Sequence, residues 1–191
     1  MKPTIVDRYE RTENGRIVLD VSVQSVEHLY NDFDRTAPYL KKDLDQSFVD
    51  HLTDSVREIR DHDFVIRISL SQMPDKMVME RVRKSIKTFH TYLRDLELRA
   101  VGTLLRRSSV LFVIGLVLLA LAIEVTRMVS SNEGVLGGVF AQGLTIAAWV
   151  SMWVALANLL LEWHPHRQNI RLYSRIMDAP VMFHHFEQGT G

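Results

Sequence analysis

Two uncharged stretches decide what this chain can fold into. Ser108 to Ile123 contains no Asp, Glu, Lys or Arg and stops only at Glu124. Carried on to Val129, it supplies roughly the 20 residues that cross about 30 Å of hydrocarbon. Val135 to Leu161 is also free of charge, with Gln142 and Asn158 as its strongly polar side chains. A buried helix of a soluble protein is rarely apolar all round for so long without a polar stripe. The expectation is a transmembrane helix over 109–130, an outer loop over 131–135 and a second transmembrane helix over 136–162. A polar, folded segment precedes the first stretch, so it does not read as a signal peptide.

Basic flanks set the expected orientation. Arg94, Arg99, Arg106 and Arg107 precede the first span, and His164, His166, Arg167, Arg171 and Arg175 follow the second. The connecting loop offers only Arg127, with Glu124 and Glu133 nearby. The excess of basic residues on one side predicts both termini in the cytoplasm. Glu124 and Arg127 are three apart, so they read as an ion pair at the outer interface. Arg99, Arg106, Arg107, Trp163 and Arg167 are the expected contacts to lipid head groups, with Trp163 as an interfacial anchor.

The second span carries small residues at helical spacing: Gly137, Ala141, Thr145, Ala148, Ser151, Ala155 and Asn158. Such a face lets helices approach closely and lets Ser, Thr and Asn bond across the gap. The first span of the same chain and a second subunit are both open as the partner.

Before the spans the pattern is that of a small α+β domain over 1–73. Asn14-Gly15 predicts a β-hairpin between 4–11 and 16–23. Ser25 to Phe33 fits a short helix, and a helix entered at Lys41 to Asp45 and capped by Asp43 or Asp45 runs to about Arg60. Phe64, Ile66, Ile68 and Leu70 alternate with Val65, Arg67 and Ser69, which predicts a strand. The expected order is β-β-α-α-β. A long helix then starts near Pro74, with Ser71 or Gln72 as cap. It runs as a cytoplasmic segment over 74–108 straight into the first span, its apolar stripe being Val78, Val82, Ile86, Phe89, Leu93, Leu96 and Val101. Near Leu93 to Leu105 that stripe needs another helix. In the cytoplasmic tail over 163–191, Pro165 is expected to interrupt the helix, a further helix to follow over 166–177, and Val181 to Phe186 to add an edge strand.

Chemistry is sparse. Cysteine is absent, which excludes disulfides, thiolate ligands and a cysteine nucleophile. The formal net charge is zero, so there is no electrostatic case for nucleic acid. Glu162, His164, His166, His184 and His185 are a conceivable mixed-ligand metal set, but their spacing fits no established site. Asp43, Asp45, Asp50 and Asp54 lack the glycine and terminal glutamate of a calcium loop. No phosphate loop, nucleophile elbow or His-Glu-x-x-His is present. No catalytic, metal or cofactor residue is expected.

Several short runs carry a resemblance across residues 14–178. They are Asn14-Gly15-Arg16, Leu29 to Asp34, Lys42-Asp43-Leu44-Asp45, Leu104-Leu105-Arg106-Arg107, and Trp163 followed by Arg171-Leu172-Tyr173. On these the chain resembles a bacterial family of small, functionally uncharacterised two-span membrane proteins with a cytoplasmic α/β headpiece. The resemblance implies the bacterial inner membrane and offers no catalytic residues. In outline the chain is also similar to magnesium channels of the CorA type, but Arg127-Met128-Val129 stands where their Gly-Met-Asn motif belongs. The leading expectation is a membrane-anchored, self-associating accessory protein without enzymatic activity, with the lipid bilayer and a second copy or another membrane protein as partners. The alternative is a subunit of an oligomeric ion channel or transporter.

Overall fold

The computed structural model describes residues 8–30, 44–129 and 135–186. Strand β1 (Ile17–Val23) is followed by a single 3-10 turn (Val26–Leu29), helix α1 (Gln46–Glu58) and strand β2 (Phe64–Leu70). Helix α2 (Lys76–Val129), helix α3 (Val135–Asp178) and strand β3 (Val181–His185) complete the order. The chain divides into two compact units, one made of 1–95 with 170–191, the other of 96–169.

The first unit is built on a three-stranded sheet in the order β1-β2-β3. Both pairings are parallel: Ile17 lies opposite Phe64, and Ile66 opposite Val181. A central parallel strand is covered on both sides and so carries a nearly continuous apolar run. β2 fits this, being buried at every position except Arg67. One sheet face presents Ile17, Leu19 and Val21 with Phe64, Ile66, Ile68 and Leu70 to the core. Across from them pack Phe48, Leu52 and Val56 of α1, Val82 and Ile86 of α2, and Leu172 and Ile176 of α3. On the other face, Arg67 bridges its strand neighbour Asp20 and Glu10. The hydrogen bond and charge of Arg67 hold the Glu10 carboxyl below its usual range.

Local chemistry sets the ends of the elements. Asp45 caps α1, its carboxylate accepting from the Ser47 N–H at 2.9 Å and the Phe48 N–H at 3.3 Å. Arg60 follows α1 in the left-handed region, at φ 51°, and its carbonyl accepts from Arg175. Arg175 also donates to the His62 carbonyl at 2.6 Å and lies over the Phe64 ring. The end of α3 is thereby pinned to the α1–β2 connection.

Several expectations change. Gly15 does adopt a positive φ of 75° in a turn closed by Thr12 and Arg16. Yet among the described residues the arm before it forms no strand: it meets β1 at an isolated Arg11–Ile17 bridge and where the Glu10 carbonyl accepts from the Val18 N–H, and β1 spends its other edge on β2. Residues 4–7 of the predicted first strand lie outside the described residues, as do 31–43, which hold Asp43, and 131–134 of the expected outer loop, whose last residue, Val135, opens α3 instead. The predicted helix over 25–33 is one 3-10 turn in its described part. α2 starts after Asp75, whose carbonyl accepts from Val78 and Met79, rather than at Pro74. Pro165 does not stop the helix: α3 passes through it and ends at Asp178. One lost hydrogen bond is a local cost, and α3 is held on both sides of it, by Ala155 in the second unit and by Leu172 and Ile176 in the core of the first. The expected edge strand is present as β3.

Two helices, α2 and α3, are long and apolar enough to cross a membrane, and only 11% of each apolar window is buried.

Candidate membrane-interface site

The site is built in the second unit. Among the described residues, most of its buried positions recur at intervals of seven. Six of the seven buried positions follow this series: Ser108, Gly115 and Ala122 on α2, and Ala141, Ala148 and Ala155 on α3; the seventh, Leu104, lies one turn before Ser108. This is the period of two helices wrapped in a left-handed supercoil. Gly115 shows how close the backbones come. A Cβ there would lie 2.6 Å from Met152 Cγ and 3.2 Å from both the Ala148 carbonyl oxygen and the Met152 nitrogen. Continued from Gly115 opposite Ala148, the antiparallel register sets Ala122 against Ala141 and Ser108 against Ala155.

The expected small-residue face is therefore divided. Ala141, Ala148 and Ala155 pack within the chain. Gly137 is half-buried. Thr145 and Ser151 do not bond across the gap as expected. Their hydroxyls donate to the Ala141 and Ala147 carbonyls of their own helix, the acceptor one turn back being the nearest one available. Asn158 faces a groove instead of the seam.

Just before the first apolar run, polar groups take over the pairing. Glu97 of α2 accepts from Asn169 Nδ2 at 2.9 Å and bonds His166 Nδ1. α3 is thus the helix that the end of the α2 stripe requires. The cluster uses up Glu97, so that carboxylate does not neutralise the arginines that follow.

Those arginines line a groove of about 860 Å³. Arg99, Arg106 and Arg107 lie at its basic end, Gly102 and Thr103 between them, and Val110, Leu111, Ile114 and Asn158 beyond. Positions 99, 103, 106, 110 and 114 lie close to one helical face, which is why the groove runs along α2. Among the described residues none of the three arginines has an ion-pair partner. At Gly102 an added Cβ would meet nothing within 4 Å, so the helix has a notch in the middle of the basic end. A second groove, of about 630 Å³, is lined by Leu105, Phe112, Val113, Trp149, Trp153 and Leu156 among others, with the two serines Ser108 and Ser109 as its polar side chains.

The structure thus brings together three of the five expected head-group contacts. Trp163 and Arg167 do not line the groove. Glu124 and Arg127 form the expected exposed pair, at 3.1 Å. Of the conceivable metal set, His166 is taken by Glu97, and His184 and His185 lie on β3 with His185 Nδ1 3.3 Å from the Leu70 carbonyl. Among the described residues no three His, Asp or Glu side chains converge.

Sequence reasoning missed the α2 half of the seam. Its signal was present, since Ser108, Gly115 and Ala122 repeat by seven, but an all-apolar run hides a face made of small residues. The Glu97–His166 contact joins residues 69 positions apart and leaves no local trace. No family model, curated protein or solved structure matches the chain.

Proposed function

We propose that this chain is a membrane-anchored accessory protein that self-associates and carries its sheet unit on the cytoplasmic side of a bacterial inner membrane, without an enzymatic activity of its own. The observation that carries the reading is the exposure of the apolar helices. Phe112, Trp149 and Trp153 are 43%, 65% and 69% exposed in segments that bear no charge. Monomeric soluble proteins do not leave contiguous apolar surface of that extent to water, so lipid and a partner are needed to cover it. The apolar groove beside Trp149 and Trp153 gives a second copy something to fill. The basic groups around Arg99 to Arg107, against Arg127 alone at the far end of α2, support the cytoplasmic placement of both termini. Subunit counting on the full chain in mild detergent tests the reading. Dimers or larger assemblies are expected; monomer alone, with no companion protein in stoichiometric amount, overturns self-association.

A further inference from the structure

We propose that the groove along α2 is a site for one anionic phospholipid, its phosphate held among Arg99, Arg106 and Arg107 and its first acyl carbons lying on Leu111 and Ile114. The inference rests on the membrane reading above and deepens it by naming the ligand.

Three features of the groove point to an amphiphile with a negative head. The charge is one-sided: three arginines and no carboxylate line the groove, and Glu97, two residues before Arg99, is engaged by His166 and Asn169. Guanidiniums also match phosphate oxygens in a planar, two-pronged geometry that a lysine lacks. The lining changes character along the helix, from arginines through Thr103 to Val110, Leu111 and Ile114. Arg99 and Arg106 are about 10 Å apart along the axis, with the Gly102 notch between them. A free phosphate would use the basic end and leave the apolar end bare; a phospholipid uses both. Asn158 comes from α3 at the level of Leu105 and Arg106 in the register set by Gly115 and Ala148. It offers an amide donor on the far wall, at the depth of the ester groups.

This differs from general attraction of a basic surface to anionic lipid. General attraction depends on charge alone and is indifferent to Gly102; a site with a shape is not.

The test uses the full chain reconstituted in phosphatidylcholine vesicles containing phosphatidylglycerol, with flotation to confirm insertion. Native mass spectrometry after extraction then counts the lipids retained. The wild-type protein is expected to float and to keep phosphatidylglycerol in preference to phosphatidylcholine. Arg106→Gln and Arg107→Gln should each lower that retention about fivefold. Gly102→Leu, which removes no charge and meets open space, should lower it at least as much. Arg127→Gln should leave it unchanged, and Arg106→Lys should restore part of the loss. Equal retention of the two lipids, indifference to Gly102→Leu, or an equal loss in Arg127→Gln overturns the site while leaving the membrane reading intact. Displacement of the lipid by excess inorganic phosphate, or a changed subunit count in place of changed retention in Gly102→Leu, also overturns it, in favour of a free anion or a second copy. Failure to float overturns both readings.

Discussion

His90 is fully buried, and its Nδ1 lies 2.8 Å from the Ile86 carbonyl one turn back. Its ring stands edge-on to Phe89 and tilted to Tyr173, and its Nε2 has no hydrogen-bond partner among the described residues. Burial pushes its pKa below the ordinary 6.5, the bond to Ile86 opposing this more weakly. The unfolded chain therefore takes up a proton at a higher pH than the folded one does. Stability from this residue is fully present above about pH 6.5 and is lost as pH falls below that value, levelling once the folded imidazole is itself protonated. Asp45 has the same direction at lower pH. The hydrogen bond from Ser47 depresses its carboxyl, so its contribution fades only as pH falls below about 3.8. Denaturant unfolding of the full chain in detergent, followed at a probe in the sheet unit, should lose stability between neutral and mildly acid pH. His90→Leu should flatten that slope and leave the more acid limb in place. A slope that survives the substitution would exclude His90 as its source. His90 was legible in the sequence only as a scattered histidine, because nothing local says that α3 will lay Tyr173 against it.

At the scale of elements, what sequence could and could not give follows from the range of each interaction. α1, β2 and α2 were readable because their periodicity and the Asp45 cap are local. β3 was readable as extended chain, but its partner was not. The parallel pairing of β1 with β2 joins residues 47 apart, as Asp20 and Arg67 show, and Asn14-Gly15 pointed instead to the neighbour in sequence. Pro165 failed as a helix stop for the related reason that contacts on both sides outweigh one missing bond. The α2–α3 seam gives the sharpest test at this scale. Gly115→Leu must push against the Ala148 and Met152 backbone as well as the Met152 side chain. It should destabilise the helix pair by about 1–3 kcal/mol, read by denaturant titration in micelles. In Gly115→Ala the nearest clash is Met152 Cγ alone at 2.6 Å, so adding Met152→Ala should recover part of the loss. If the double variant is no better than Gly115→Ala, the close approach is not at Met152.

The whole molecule has a connection that neither unit reveals alone. β2 and β3 are parallel neighbours, and the link between them is all of α2 and α3. Ending the chain after Asp178 would remove β3 and its bonds to β2, together with those from the Ile66 N–H to the Pro180 carbonyl and from the Phe186 N–H to the Leu70 carbonyl. At about 1 kcal/mol per backbone bond, the loss should be a few kcal/mol. Hydrogen exchange at Ile66 to Leu70 should rise sharply, and unchanged protection there would show that β3 is dispensable. A ribosome making this protein releases β1, α1 and β2 long before the last strand exists. The sheet must wait, one edge bare, until both long apolar helices have been synthesised. A copy cut short anywhere within α2 or α3 would therefore keep the β2 edge unpaired and offer it to proteases or to other chains.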